Sequence, residues 1–585
     1  MQTLLGSAQP QTRPIQKGEY QQTTLDRWAF VKRSGALKNE GMLWYPAWRD
    51  LAKYINPTRG FFYETRPNVG YEIDHKTIID STAEDSMNTL SSGMVSGLTS
   101  PSRPWFRLAI PDPDLMEVGH VKYWLDSVQN RMLEIFAKSN IYGGLSTIYE
   151  EVATFGTACG FLEEDYNDVI RMRVYTIGEY YLGTGPDGRV NAFYRRFWMT
   201  TSQLVKEFGI ENCTMQVQTL FRNNAPDTWV RVNFLIEEND ERIVQYKDYK
   251  NMKYRCVYWE DGAMIDSYLR IGGYEEMPVL TPRWSTTTTA DAYGRSPGWK
   301  MLGDVKMLQR LQKNKLIALD KVTNPPVQVD ASVQGEANML PGGVTRFSSQ
   351  MPNAGVKPAY QVNPDLMAIE NTIIRTQDAI KRKSFSDLFL MMIDSERKGT
   401  PITATEVMER QAEKLSVLGP VLERLESELL NPLIDRTFNI MLRNGLIPDP
   451  PREVQGMELK VQYISVLAQA QKMTGTTAIQ QVVQFVGGAA QLNPNILDNI
   501  DWDEAAQEYA AMLGIPAKVM ASPEAVLALR KAKAEQQAKM AKQQDAMVAA
   551  QGMATGAKAV KDASQAPLGQ NSALDALMGN MQTKE

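Results

Sequence analysis

Residues 399–446 read GTPITATEVMERQAEKLSVLGPVLERLESELLNPLIDRTFNIMLRNGL, and this stretch decides the fold because it spells one very long helix with a marked beginning. Thr403 and Glu406 stand at the spacing of a capping box, in which hydroxyl and carboxylate each satisfy a free backbone N–H of the first turn. Leu415, Leu418, Leu422, Leu425, Leu429 and Leu433 then recur at threes and fours, which sets them on one stripe. Glu409, Arg410, Glu413, Lys414, Glu423, Arg424 and Glu428 spread around the remaining surface. The stripe requires a partner surface. Pro420 and Pro432 interrupt the pattern; each removes a backbone donor and clashes with the preceding turn, so the rod is expected to bend or break near both. A bent helix of this length spans an architecture rather than holding a catalytic pocket.

Upstream of that helix the text is a second helical pair with something between. A helix is expected over residues 299–322, about 35 Å long at 1.5 Å per residue, stopped by Asn324-Pro325-Pro326. Strand-like Val327 and Val329, a Pro341-Gly342-Gly343 turn and residues 345–347 follow, and Asn363-Pro364-Asp365 opens another helix that runs to about residue 383. Two antiparallel helices with a small β module at their far end make a stalk with a tip. Between the stalk and the long helix, residues 384–401 carry the apolar run Leu388-Phe389-Leu390-Met391-Met392-Ile393 and then Asp394-Ser395-Glu396-Arg397-Lys398-Gly399, a loop long enough to have a job.

Nearer the start, helical signals fall at residues 24–38, 41–54, 81–98 and 121–137. From 158 to 284 the text turns to short β-rich runs, among them 170–177 and 190–198, divided by turns such as Gly183-Thr184-Gly185-Pro186-Asp187-Gly188. Past the long helix, helices are expected over residues 457–473, 477–486 and 503–513, and residues 521–585, dominated by Ala, Lys, Gln, Met and Gly, read as a frayed helix and then disorder.

Composition excludes several functions. A chain of 585 residues with 43% hydrophobic and 22% charged residues has material for three or four structural units. Its 63 basic and 68 acidic side chains leave a net charge of −5, the opposite of a tight, general DNA binder, so any DNA it touches should slide. Cys159, Cys213 and Cys256 lie far apart, with only His75 and His120 as imidazoles, which argues against a zinc site or a disulfide framework. A start without a basic, apolar leader and the lack of a long apolar run imply a protein made in a cytoplasm and not held in a membrane. There is no Gly-Lys dipeptide, hence no phosphate-cradling loop of a nucleotide motor.

The chain is similar to the portal, or head-to-tail connector, proteins of short-tailed tailed bacteriophages. The likeness is carried by TATEV at 403–407, by LGPVLERLESELLNPLIDRTFNIMLRNG at 418–445, by Ala292-Tyr293-Gly294-Arg295-Ser296-Pro297-Gly298, by Leu90-Ser91-Ser92-Gly93-Met94 and by Pro101-Ser102-Arg103-Pro104-Trp105-Phe106. The resemblance implies a predominantly helical α+β protein of portal architecture. Its parts would be an N-terminal arm (1–20), a helical part of the wing (21–157), a β-rich wing subdomain (158–297), a first stem helix (298–322) and a clip (323–362). A second stem helix (363–383), a tunnel loop (384–402), a long kinked wing helix (403–445), a helical crown (446–520) and a tail (521–585) would follow. It further implies a homo-oligomeric, dodecameric ring at one capsid vertex of the virion, assembled in the host bacterial cytoplasm, through which double-stranded DNA enters and leaves. Implied partners are the terminase large subunit, docking at the clip near Val327, Val329, Arg346 and Phe347, then tail adaptor and nozzle proteins, and the scaffold and major capsid proteins at the wing.

Beside that implication stand the basic residues. The first stem helix carries Lys300, Lys306, Arg310, Lys313, Lys315 and Lys321 against Asp304 and Asp320, a local basic excess within an acidic chain. The second sets Leu366, Ile369, Ile373 and Ile380 on one stripe and Arg375, Asp378 and Arg382 on another, ahead of Lys383. Lys306, Arg310, Lys313, Arg375, Arg382 and Lys383, with Arg397 and Lys398 of the tunnel loop, are the candidates to line a channel with weak, sequence-independent phosphate contacts. The competing reading is a solvated face, or pairing with carboxylates of the same or a neighbouring chain. Arginine and aromatic residues interleaved at 171–181 and 193–198 fit base stacking in principle and sheet positions more simply. Asp112 with Asp114, Glu163 with Glu164, and Asp501 with Asp503 read as turns or helix starts, so no catalytic residue, metal or cofactor is expected. The alternatives are another virion structural protein, such as a tail tube or internal ejection component, and a magnesium-dependent nuclease, which would need a carboxylate cluster.

Overall fold

The computed structural model describes residues 27–62, 78–116, 118–243, 248–262, 267–329, 365–389 and 418–456, with shorter pieces at 356–358, 460–464 and 529–540 and single residues at 336, 346, 486, 526 and 555. Helices α1 (Arg27–Met42), α2 (Tyr45–Tyr54) and α3 (Thr82–Leu98) are followed by strand β1 (Phe106–Ala109), the short α4 (Pro113–Met116), α5 (Gly119–Lys138) and α6 (Ile141–Phe155). The chain forms mixed α and β structure, as expected. Helix α6 was not among the helices expected. Ile141, Leu145, Ile148, Tyr149, Val152 and Phe155 are all fully buried on one face, with Gly143 and Ser146 exposed on the other; Glu151 is fully buried too, and Gly143-Gly144 in the first turn reads as a turn signal.

α6 ends at Gly156, whose φ of +90° is a left-handed conformation. A Cβ at Gly156 would meet the Gly294 carbonyl oxygen at 2.5 Å, and one at Gly294 would meet the Gly156 oxygen at 2.4 Å, so the two backbones touch only because both side chains are hydrogen. This contact explains the 292–298 motif. Ser296 donates its hydroxyl to the Thr154 carbonyl at 2.6 Å and accepts from Trp299 N–H at 3.2 Å as the N-cap of the next helix, with Pro297 in its first turn. Tyr293, 1% exposed, accepts at its hydroxyl from Leu182 N–H. The motif therefore roots the first stem helix in the body.

The β-rich part is two antiparallel sheets. Strands β2 (Cys159–Asp165), β3 (Val169–Tyr175) and β9 (Val279–Leu280) make one, in the order β3-β2-β9. The other is a continuous meander of β4 (Tyr180–Thr184), β5 (Val190–Thr200), β6 (Trp229–Glu238), β7 (Tyr254–Glu260) and β8 (Arg270–Tyr274). Phe161, Tyr175, Tyr180, Phe193 and Phe234 pack between them, and every one is buried, so these aromatic residues are core and not a stacking platform. Between β5 and β6, helices α7 (Thr201–Phe208) and α8 (Met215–Arg222) close a small satellite core of Leu204, Phe208, Cys213 and Val217.

Of the long helix the structure describes the part from Leu418 onward. Beside Pro432, where a bend or break is expected, the helix departs from regular α geometry but continues. It runs as α11 (Gly419–Leu425), a π turn (Glu426–Leu430) and α12 (Asn431–Arg443), in which Asn431 N–H donates to the Glu426 carbonyl five residues back. A π turn widens the helix where the proline has no N–H to give, so the ladder shifts register and continues. Leu418, Leu422, Leu425, Leu429 and Leu433 are buried as the stripe predicts, while Leu415, the capping box and everything else from 390 to 417 lie outside the described residues. Glu428, in contrast, does not face solvent. It is held by the Arg283 side chain, with Nε at 3.1 Å, and by the Arg283 N–H at 2.9 Å, and Arg283 also donates to the Asp291 and Gly188 carbonyls.

A correction concerns residues 457–473, expected as helix, of which the structure describes 460–464. Residues 460–463 form strand β12 (Lys460–Tyr463), antiparallel to β1, with Phe106 opposite Tyr463 and Leu108 opposite Val461. Phe106 and Leu108 are buried, and the alternating apolar residues of Lys460-Val461-Gln462-Tyr463 complete that pair. The expected helices at 503–513 and nearly all of 477–486 lie outside the described residues. Residues 515–585 form a separate compact unit whose described part includes a solvent-exposed helical run at 529–540.

Candidate functional site

α9 (Pro297–Thr323) begins inside the body and leaves it. Met301, Val305, Leu308 and Gln309 are buried; beyond Gln309 every residue is partly or fully exposed. α10 (Leu366–Lys383) returns antiparallel along it, starting at Asp365, whose carboxylate caps Ala368 N–H at 2.9 Å. Strand β10 (Val327–Val329) pairs with β11 (Val356–Pro358) between the two helices, Val327 opposite Pro358 and Val329 opposite Val356.

Two ion pairs and one polar knot fasten the hairpin. Lys315 pairs with Glu370 and Lys383 with Asp304, one bridge toward each end. At the root, Asp80, just before α3, accepts from Gln312 Nε2 at 2.9 Å and from Gln377 Nε2 at 2.8 Å, while Gln309 accepts from Asp80 N–H and donates to its carbonyl. Burial alone would raise the Asp80 carboxyl, but hydrogen bonds from Thr82, Gln312 and Gln377 outweigh it and hold it below the usual carboxylate range. The sequence signal for this knot is three glutamines on helices otherwise dotted with charge.

The structure sorts the channel candidates. Lys306 is engaged, 2.6 Å from the Asp50 carboxylate with its ammonium 5.3 Å from the Tyr54 ring centre, and Lys383 is engaged by Asp304. Arg310, Lys313 and Arg375 are exposed with no ion pair among the described residues, and Arg382, also exposed, donates only to the Asp378 carbonyl one turn back. Arg397 and Lys398 lie outside the described residues, as does Phe347. Val329 is 47% exposed and Arg346 is exposed. One feature the sequence reading missed shares the hairpin with the unpaired cations: Met307, Leu316, Ile317, Met367 and Ile374 are 41–74% exposed among the described residues.

Nothing described converges as a catalytic group. Glu163 and Glu164 are consecutive on β2 and so point to opposite faces, one toward Arg173 and the other toward Arg443. The three thiols are buried, and burial pushes those of Cys213 and Cys256 up to about 12. Among the described residues no group of three or more His, Cys, Asp or Glu side chains is placed to hold a metal, and no helix is long and apolar enough to cross a membrane.

These features define a class: a structural scaffold with a rooted body and a two-helix hairpin whose outer surface is basic and apolar by turns. Residues 29–520 match the family described as bacteriophage head to tail connecting protein, and the chain belongs to that family. It is 43% identical over 534 residues to the portal protein of Salmonella phage epsilon15, covering 91% of this chain and 95% of that one. Against the probable portal protein of Bordetella phage BPP-1 the identity is 40% with the same coverage. The portal protein of Escherichia phage T7 shares 23% over 443 residues, or 71% of this chain and 75% of that one.

Proposed function

We propose that this protein forms a closed ring at one capsid vertex and serves as the conduit for double-stranded DNA during packaging and ejection. The observation that carries the reading is the stem hairpin, in a chain whose family membership spans residues 29–520. The hairpin carries uncovered apolar residues, which a neighbouring subunit would bury, interspersed with uncompensated cations, which duplex phosphates would meet. A closed ring uses a heterologous contact repeated by rotation, so each cation becomes a tier. Weak contacts in tiers hold a duplex without reading its sequence. Arg310, Lys313, Arg375 and Arg382 are the channel residues of this reading; Lys306 and Lys383 serve the hairpin itself. Twelve subunits, docking of the terminase large subunit and later of tail adaptor and nozzle proteins at the β10–β11 tip, and contacts with scaffold and capsid proteins complete the proposal. It assigns no enzymatic step, and it locates the protein in the virion after assembly in the bacterial cytoplasm.

Negative-stain imaging of the purified full chain tests the architecture. A ring with a central hole supports the conduit; a monomer or filament at high concentration sinks it. Incubation with duplex DNA and magnesium is the companion control, since cleavage abolished by mutating a carboxylate pair would contradict a purely structural role.

A further inference from the structure

Beyond its root the stem hairpin has two unlike faces. At about 3.6 residues per turn, Leu316 and Asp320 continue the α9 stripe of Gln309 and Gln312 that meets Asp80. On α10, Met367 and Ile374 stand on the side of Gln377, which meets the same carboxylate, and Asp378 follows Ile374 by one turn. This face is apolar and acidic. Leu316, Met367 and Ile374 are 50%, 74% and 47% exposed, and Asp320 and Asp378 are exposed with no ion pair among the described residues. The opposite face carries short side chains and a cation: Asn314, Ala318 and Lys321 on α9, and Ala368, Thr372 and Ala379 on α10, each set spaced to fall on one stripe. Lys321 is exposed, again with no ion pair among the described residues.

We propose that the apolar, acidic face of one copy packs on the short-side-chain face of the next copy, each helix lying parallel to its own equivalent. The inference rests on the ring proposed above and names the faces that close it. A rotation about the ring axis leaves every residue at its own level, so α9 meets the next α9 without a shift. Leu316 then seats midway between Asn314 and Ala318 of the next copy, Ile374 comes beside its Thr372, and Asp320 comes level with its Lys321. Large apolar side chains over short ones let helices approach closely, and the acid facing a cation makes the two faces complementary in charge. The alternative sets the outer side of α9 against the outer side of the next α10. Arg310 and Arg375 each stand five residues from the Lys315–Glu370 bridge and hence at one level, so that arrangement would press two cations together with Lys313 close by. The faces chosen here leave Arg310 and Arg375 uncovered.

Paired cysteines in the full chain test it. Residues 316 and 318 lie on opposite sides of one helix and cannot be joined within a chain, so oxidising the double variant Leu316→Cys with Ala318→Cys links copies only. The native thiols Cys159, Cys213 and Cys256 are buried and do not compete. The expected result is a ladder of covalent multimers on a denaturing gel, at least fivefold stronger than from Arg310→Cys with Arg375→Cys, which reads the rejected arrangement. Negative-stain imaging of the same samples separates the two readings: rings without that ladder, or with a stronger one from the second pair, overturn the pairing alone, and absence of rings overturns both. A charge swap checks the contact without cysteines. Asp320→Lys should lower the ring yield at least threefold and Asp320→Lys with Lys321→Asp should restore it; a double variant no better than the single one would overturn the pairing.

Discussion

The long helix and the stem hairpin are both helical and both rich in charge, yet they spend those charges differently. Along the long helix from Leu418 several ionic side chains are held within the body. Arg283 clasps Glu428, Arg436 donates to the Leu162 carbonyl while lying beside Glu276, and Arg443 bridges Glu164 and Glu276. Arg283, Arg436 and Arg443 are each no more than 6% exposed at the side chain, so their partners are obligatory. On the two hairpin helices, among the described residues, Lys306, Lys315 and Lys383 form ion pairs, while Arg310, Lys313 and Arg375 and several large apolar residues are exposed. The long helix pairs its buried arginines within the chain, whereas the hairpin leaves several cations and large apolar side chains exposed.

That contrast can be broken at its strong end first. Glu428→Ala strands a buried guanidinium and should cost the body about 3–5 kcal/mol, read as a lower denaturation midpoint of the full protein; a loss under 1 kcal/mol would show that the clasp is ornamental. Leu429→Ala, at a fully buried position of the π turn, should cost about 2–5 kcal/mol in the same measurement.

Next in size is the junction. Asp80→Ala removes the acceptor shared by Gln312 and Gln377 and should cost about 1–3 kcal/mol, with amide exchange quickening in α9 beyond residue 309 and in α10 while α6 stays protected. Because the folded Asp80 carboxyl is held below its ordinary value of 3.8, its contribution is present above that pH and is lost as pH falls through the depressed folded value. Uniform exchange across α6 and α10 would erase the distinction between body and hairpin.

Glu151 gives the body its own pH signature. Burial pushes its carboxyl up to about 7, against the Thr176 hydroxyl, Arg59 and the Ile177 N–H that pull it down. A raised acid is protonated in the folded state and ionised in the unfolded one, so its stabilisation is full below about 4.5 and is lost as pH rises toward 7. Glu151→Gln should flatten that slope, and an unchanged slope would exclude Glu151 as its source.

The smallest effect on stability belongs to the hairpin surface. Arg310→Ala, Lys313→Ala, Arg375→Ala and Arg382→Ala should each stay within about 0.5 kcal/mol and leave rings intact on imaging, while the combined variant alters the length or retention of packaged DNA. Loss of the ring instead would make these side chains subunit contacts.

Periodicity alone was enough for elements with one wet face. The leucine stripe of α11 and α12, both stem helices with their Asn324-Pro325-Pro326 stop and Asp365 cap, and the main strands at 169–175 and 190–200 are local patterns, written where local physics acts. α6 is an exception: its apolar residues form a stripe opposite exposed Gly143 and Ser146, but Gly143-Gly144 in its first turn reads as a turn signal. β12 was misread because its partner β1 lies more than three hundred residues away, and a short strand is specified by that partner. For the candidate site, the positions of the cations were in the text but their availability was not. Lys306 and Arg310 look alike one turn apart, and only the fold brings Asp50 to the first and no carboxylate among the described residues to the second.

The sequence by itself determined the two-helix stalk with its tip, the leucine stripe of the long helix, and the family, because capping residues, prolines and hydrophobic spacing act within a few residues of one another. Only the tertiary structure decided that Pro432 is absorbed by a π turn, that Gly156 and Gly294 meet backbone to backbone, that Glu428 is an interior partner, and which stem cations remain for a ligand. Each of these depends on groups distant in the chain whose proximity is set by packing, and a charge acquires its role from what packing places beside it.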